Sequence, residues 1–390
     1  MRHVTVDERR ARLALRHHLA AEARTDDVVR VAGDLVGLHG TDPASVFLSA
    51  AARMRHPSVA AVEDALYEQR RLVRTLCMRR TMFVVPVELV PVVQAAVTDA
   101  LVPGQRRRAI TLMEQGGIPD AAAHLRELEE RTLAALEARG EATGAELSKS
   151  VPGLNRQLHV GAGTKWEGTV GVSTRVLFLL STEQKVVRGR PRGGWTSSQY
   201  RWSPMSAWLP DSVPVLGTDE ARVELARRWL LAFGPAPITD LKWWTGLTLT
   251  QVRKAVAALP VEGVDLDGTP GVMLADDAGP TPRVEPWVAL LPSLDPTTMG
   301  WQQRGWYLGD HGKALFDTNG NAGPTVWSDG RVVGGWAQRK SGEVVVRLLE
   351  DMGAEVAAAV EAEAARLTVW LGDVRVTPRF PTPLQRELIA

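Results

Sequence analysis

Leu72-Val73-Arg74-Thr75-Leu76-Cys77-Met78-Arg79-Arg80-Thr81-Met82-Phe83-Val84-Val85-Pro86 is the run that decides the fold class. Its β-prone residues suit a hairpin, and its three arginines put positive charge on that hairpin. The sequence before it is helical. Val4 to Ala23 sets Leu13 and Leu19 at helical spacing among arginines, and Thr25-Asp26-Asp27 offers N-cap side chains for a helix through Val28, Val31, Ala32 and Leu35. Thr41-Asp42-Pro43 starts another helix over Ala44 to Ala50, with proline at a first helical position, and Ser58 caps one over Val59 to Gln69. Helices followed by a hairpin read as a winged helix.

The same grammar recurs twice. Asp120 to Arg139 reads as a helix, Thr143 begins a short one, and a helix near Ser173 to Leu180 leads into Lys185-Val186-Val187-Arg188-Gly189-Arg190-Pro191-Arg192-Gly193-Gly194-Trp195. Thr218 to Phe233, then helices starting at Thr239 and Thr250, precede a β-prone stretch from Val261 to Leu274. After about Val284 short β-prone runs alternate with Gly, Pro, Asn and Asp, and Ser328-Asp329-Gly330 is a strong two-residue hairpin signal. The fold class expected is therefore α+β: three tandem winged-helix domains, 1–117, 118–212 and 213–283, followed by a C-terminal β-barrel-like domain, 284–390.

At 390 residues and 45% hydrophobic, the chain has apolar material for several small domains, and a disordered or mini-protein reading is excluded. The single Cys77 forms no internal disulfide, and charges interrupt every apolar run before the roughly 18 residues that a membrane span needs. A cytoplasmic, nucleoid-associated protein without membrane contact is expected. The net charge of +1 gives no global attraction to nucleic acid, so local patches matter more. Only seven of the 46 basic residues are lysine, and guanidinium is the group suited to bidentate phosphate contact.

No CxxC, HExxH, P-loop, strand-borne GxGxxG or GxSxG occurs, which argues against a metal site, a nucleotide cofactor and a serine nucleophile; no cofactor is expected. Gly161-Ala162-Gly163-Thr164-Lys165 reads as a loop. The strongest basic and aromatic cluster is Lys185, Arg188, Arg190, Arg192, Trp195, Tyr200, Arg201 and Trp202, which suits phosphate contact by a wing or, alternatively, tryptophans packed into a neighbouring domain. Arg71, Arg74, Arg79 and Arg80 form a second cluster, and Arg106-Arg107-Arg108 reads as a solvated helix face. The polar loop Gly37-Leu38-His39-Gly40-Thr41-Asp42-Pro43 places His39 and Thr41 at alternate positions, able to face one pocket, while Thr41 or Asp42 also serves as the N-cap before Pro43.

In order along the chain, the loop 37–43, Arg74 to Pro86, Val187-Arg188-Gly189-Arg190-Pro191, Leu290-Leu291-Pro292-Ser293-Leu294-Asp295-Pro296, and Pro324-Thr325-Val326 with Asp329 to Gly334 resemble the AlkZ/YcaQ-like DNA glycosylases. That resemblance implies a monofunctional DNA glycosylase that hydrolyses the N-glycosidic bond of bulky N7-alkylguanines, including adducts made by genotoxic natural products, and hence a self-resistance role. Its partner is double-stranded DNA carrying alkylated guanine, and the chain is expected to act as a monomer. The family's catalytic element is a Gln-apolar-Gln motif, which here reads His39-Gly40-Thr41, departing at the last two positions and sharing the His that some relatives carry at the first. By carry-over, His39 orients or activates water, Thr41 assists, and Asp42 supplies charge stabilisation. Arg79, Arg80 and Thr81 on the first wing, and Arg188, Arg190, Arg192, Trp195 and Arg201 on the second, are expected to contact DNA. Gln338, Arg339 and Lys340 are expected to form a hairpin that probes a groove. Two other readings stand beside this one: a non-catalytic winged-helix DNA-binding protein, either a regulator or a damage-binding module, and a protein that binds a small toxin through its tryptophan-rich surface.

Overall fold

Leu72–Leu76 and Met82–Pro86 pair antiparallel with Thr75 opposite Phe83, and close through a turn in which Arg79 and Arg80 take left-handed φ values of 52° and 60°. A computed structural model describes the chain except for residues 162, 164–166, 210–213 and 380, so part of the glycine-rich loop and the expected 212/213 boundary lie outside the described residues. The short strand Leu38–His39 adds beside Met82–Pro86. Before and between these strands come the helices Val28–Asp34, Pro43–Ala51 and Val59–Glu63, capped by the Asp27, Asp42 and Ser58 side chains. The last continues as a wider turn over Asp64–Glu68 rather than as α-helix to Gln69.

This succession of helix, short strand, helices and hairpin appears twice more. Ala142–Thr143 pairs with Tyr200–Pro204, which pairs with Val186–Pro191. Ala236 bridges to Val272 in the hairpin of Val261–Leu266 and Thr269–Leu274. Helix starts carry the expected chemistry: Thr143 with Glu146 and Thr248 with Gln251 each form a reciprocal capping box. One departure is non-local. Arg2–His3 forms a strand lying parallel to Val264 and Asp265 in the third sheet, and the helix expected over Val4 to Ala23 is Val6–Arg16, with Thr5 as its cap.

The C-terminal strands Val288–Leu291, Thr325–Ser328, Arg331–Gln338 and Val344–Leu348 form one antiparallel sheet in chain order. Asp329 and Gly330, with φ of 47° and 79°, make the expected tight turn. The expected barrel does not close: the first and last strands are not paired with each other, and four strands are too few to close a ladder. Instead the helix Gly353–Leu371 packs against both edge strands and covers the gap.

Among the described residues burial forms two large cores and a small third one of Val4, Val264, Leu266 and Met273. Leu35, Val84, Trp229, Trp244, Trp301 and Trp327, drawn from the first, third and C-terminal segments, belong to one continuous core, whereas Leu125, Leu136, Val176 and Leu180 form a separate one. The second hairpin joins them, because Val187, Trp195 and Trp208 bury in the large core. Arg53 and Asp295, both fully buried, pair at 2.7 Å. Arg53 also donates to the carbonyls of His17 and Ser49 and to Thr297 Oγ1, so every N–H direction has an acceptor. That network anchors the Pro43–Ala51 helix to the C-terminal segment and thereby fixes the loop that precedes it. The helical run Val87–Gln115 is long and apolar enough in composition to cross a bilayer, yet half of its apolar 18-residue window is buried inside the molecule.

Candidate active site

The loop His39-Gly40-Thr41 is held at both ends by local chemistry. His39 pairs with Phe83 at the end of the short strand, and the Asp42 carboxylate accepts from the Ala44 N–H at 3.0 Å as the cap of the next helix. Gly40 sits between them because a Cβ there would stand 2.8 Å from Arg74 Nη1. Arg74 donates to the Gly40 carbonyl at 2.7 Å, and Arg379, from the far end of the chain, donates to the Thr41 carbonyl at 2.9 Å.

His39 is 5% exposed and packs 5.1 Å from the Phe83 ring. Burial, reinforced by the Arg79 charge, lowers its pKa from 6.5 to about 3, so the imidazole is neutral near pH 7. The Thr41 N–H points at its Nδ1 at 3.5 Å, a long contact that favours the tautomer with the proton on Nε2. The Thr41 hydroxyl is buried without a hydrogen-bond partner among the described residues. Burial raises the Asp42 pKa, opposed by its Ala44 hydrogen bond and by Arg379 and Arg74.

Thr41 opens onto a cleft of about 490 Å³ lined also by Thr143, Gly144, Ala145, Arg188, Arg192, Ser198, Gln199, Tyr200, Trp202 and Arg379. Among the described residues no carboxylate lines it. The Arg188 guanidinium lies 5.7 Å from the Tyr200 ring and 5.1 Å from the Trp202 ring. Burial and the neighbouring Arg74 lower its pKa to about 10, which leaves it charged at neutral pH. A second cleft, about 610 Å³, is lined by residues including Lys313, Phe316, Asp317 and Arg386, and Arg379 stands in the wall of both. Among the described residues no group of three or more His, Cys, Asp or Glu side chains is placed to hold a metal ion.

The structure therefore sorts the residues singled out in the sequence. Thr41, Arg188 and Arg192 meet in one cleft, and Asp42 is the helix cap; His39 does not line the cleft but lies behind Thr41. Arg192 has no ion-pair partner among the described residues. Arg190 is committed to Glu63 and Glu68, and Arg201 to Glu141, so neither guanidinium is free as expected. Trp195 is not a surface aromatic: it is buried 5.1 Å from Phe47 and 5.8 Å from Trp370. Arg80 is exposed, while Thr81 closes the first turn by donating to the Met78 carbonyl. Arg339 and Lys340 occupy the turn of the expected hairpin, but Gln338 points inward, donating to the carbonyls of Gly342 and Val374 and accepting from the Val376 N–H. Arg106 pairs with Glu129 and Glu183 rather than facing solvent as part of a charged run. Sequence reasoning found the helix start at Thr143 but missed Thr143–Ala145 and Arg379 as residues of the site. Both reach the site through tertiary contact alone, and only the capping box at Thr143 carried a local signal.

Three hairpin units, a cationic cleft and a rigid polar loop define a protein built to engage a nucleic-acid backbone. Residues 32–370 match the family model described as DNA glycosylase AlkZ-like, and the chain belongs to that family of DNA glycosylases. Its fold is similar to that of the Streptomyces sahachiroi DNA glycosylase AlkZ, with a TM-score of 0.72 at 21% identity over 97% of this chain and 99% of the other. A search of curated protein sequences finds no match.

Proposed function

We propose that the chain releases N7-alkylated guanine from duplex DNA by hydrolysis of the N-glycosidic bond, with bulky adducts as the preferred class and self-resistance to a genotoxic natural product as the role. The observation that carries this reading is Thr41, whose buried hydroxyl has no partner among the described residues, in the wall of a wide cleft that has arginines and, among the described residues, no carboxylate. N7 alkylation makes guanine a cationic leaving group, so departure needs neither a metal nor a covalent nucleophile, only a held water and a charge environment suited to the sugar cation. Thr41 is assigned the water contact, and Asp42, partly shielded by its capping bond, the nearest negative charge. His39, neutral and enclosed, holds the loop in place. Activation of water by His39 is not carried forward, because an imidazole with a pKa of about 3 is a weak base at neutral pH.

The three helix and hairpin units are read as winged helices acting together on one duplex, which suits a monomer at the nucleoid. Arg188 and Arg192 are assigned to phosphate oxygens beside the lesion. The test is base release from duplexes carrying N7-methylguanine or a bulky N7-guanine adduct, read as strand breaks after alkali. Wild-type protein is expected to release both, the bulky one faster, and Thr41→Val to lose most of that activity. Equal release by wild type and Thr41→Val would remove Thr41 from the chemistry.

One observation favours a second reading. His39 faces the interior instead of the cleft, as it would in a damage-binding module without chemistry. Salt-sensitive binding of either lesion duplex with no base release would establish that alternative.

A further inference from the structure

Resting on the reading that this chain engages duplex DNA, we infer that Arg79 and Arg304, gathered over the single indole of Trp243, form a second phosphodiester-binding site beside the His39 loop. The Arg79 guanidinium carbon lies 4.1 Å from the Trp243 ring centroid and that of Arg304 5.1 Å from it. The three residues come from three separate segments: the first hairpin turn, the Ile238–Thr245 helix and the segment before Gly305–Leu308. Arg304 also stands 4.7 Å from the Phe316 ring, which lines the second cleft.

Two like charges held around one ring repel each other, and that arrangement is costly unless an anion is supplied. Neither guanidinium makes an ion pair or a side-chain hydrogen bond among the described residues, and Arg79 Nε is buried without a partner. Asp240, a carboxylate that feels the Arg304 charge without pairing with it, accepts from the N–H groups of Gln302 and Gln303 at Oδ1, while its buried Oδ2 has no partner among the described residues. Burial and Arg304 both lower the pKa of Arg79, to about 10, so Arg79 remains cationic at neutral pH. Arg79 further sits in a left-handed backbone conformation, uncommon for a residue with a Cβ, against Gly246, where a Cβ would stand 3.5 Å from Arg79 Cγ. A phosphodiester supplies the missing negative charge and offers two free oxygens, one for each guanidinium. The charge of Arg79 also reaches His39, and neither Arg79 nor Arg304 lines the cleft that holds Arg188 and Arg192, so a phosphate bound here is distinct from one bound there.

The test is the salt dependence of binding to an undamaged duplex, measured for wild type, Arg304→Gln and Arg304→Lys. Loss of one phosphate contact lowers the slope of log K against log salt by about 0.9 and weakens binding for any sequence. Arg304→Gln is expected to show that loss, with about a tenfold drop in affinity at low salt, and Arg304→Lys to retain the slope, since a lysine charge still neutralises a phosphate. If the arginine merely packs on Trp243, both variants lower the melting temperature alike and leave the slope at the wild-type value, which overturns the inference. Wild-type protein that binds DNA without salt dependence overturns both the inference and the DNA reading on which it rests.

Discussion

Arg379 donates to the carbonyl of Thr41 across 338 residues of sequence, so the end of the chain closes over the loop that faces the cleft. Arg379 lies beyond the residues that match the family model, and it forms part of the wall of both clefts. Together with Arg74 on Gly40, it fixes two consecutive loop carbonyls.

Removing that clasp loosens the loop without opening the core. Arg379→Gln is expected to slow single-turnover base release by about 10- to 100-fold, the scale on which small misplacements of reacting groups act. Its melting temperature should stay close to wild type because Arg379 is exposed. Unchanged single-turnover release would show that the bond is incidental.

The second-wing arginines differ in what they have left to offer. Arg190 is held by Glu63 and Glu68, whereas Arg192 has no ion-pair partner among the described residues and lines the cleft. Arg192→Ala should lower the salt slope of DNA binding by about one, and Arg190→Ala should change it much less. Equal slopes for the two variants would refute this division.

The buried pair Arg53 and Asp295 is the tie between the Pro43–Ala51 helix and the C-terminal segment. Burial raises the Asp295 pKa, but the charge and hydrogen bonds of Arg53 outweigh it and leave the carboxyl below its usual range. Arg53→Met strands that carboxylate and is expected to cost about 3–5 kcal/mol in urea unfolding, with much of it regained in the Arg53→Met/Asp295→Leu pair. A cost below about 1 kcal/mol would mean that the network is not rigidly formed.

Two enclosed imidazoles make stability depend on pH. His17 and His39 both have folded pKa values of about 3, pulled down first by burial and then by Arg53 and Arg79 respectively. Between pH 6.5 and 3 the unfolded chain binds protons that the folded one refuses, so their stabilising contribution is full above 6.5 and is lost as pH falls. Each is worth up to about 1.4 kcal/mol per pH unit in that window. His39→Gln should flatten the stability profile between pH 6.5 and 5 by that amount. In the same way, base release by wild type should show no imidazole titration between pH 5.5 and 8, and a limb near pH 6.5 assignable to His39 would contradict its enclosed neutral state.

Local chemistry was legible in the sequence and pairing over distance was not. Asp27, Ser58 and Thr143 cap their helices, Ser328-Asp329-Gly330 turns a hairpin, and the basic run at 72–86 is a hairpin, because each depends on neighbours a few residues away. Asp42 resolves to its bland role as a cap by the same local rule. Arg190 reads as a free wing charge until Glu68, 122 residues earlier, is folded against it. Trp195 reads equally as a wing aromatic or as a packed one until Phe47 and Trp370 converge on it and bury it. The barrel expectation failed for a related reason: strand content predicts a sheet, whereas closure depends on which edges meet, and here a helix lies between them.

The most direct measurement is single-turnover base release from a duplex bearing one bulky N7-alkylguanine, comparing wild type, Thr41→Val and His39→Ala at matched DNA occupancy. Wild type is expected to release the base, with Thr41→Val slower by about 100-fold through loss of the water contact and His39→Ala slower by about 10- to 100-fold because the loop loses its support, while DNA affinity changes little, since phosphate contacts dominate binding. Release by all three at the same rate would contradict the assignment of the chemistry to the loop His39-Gly40-Thr41.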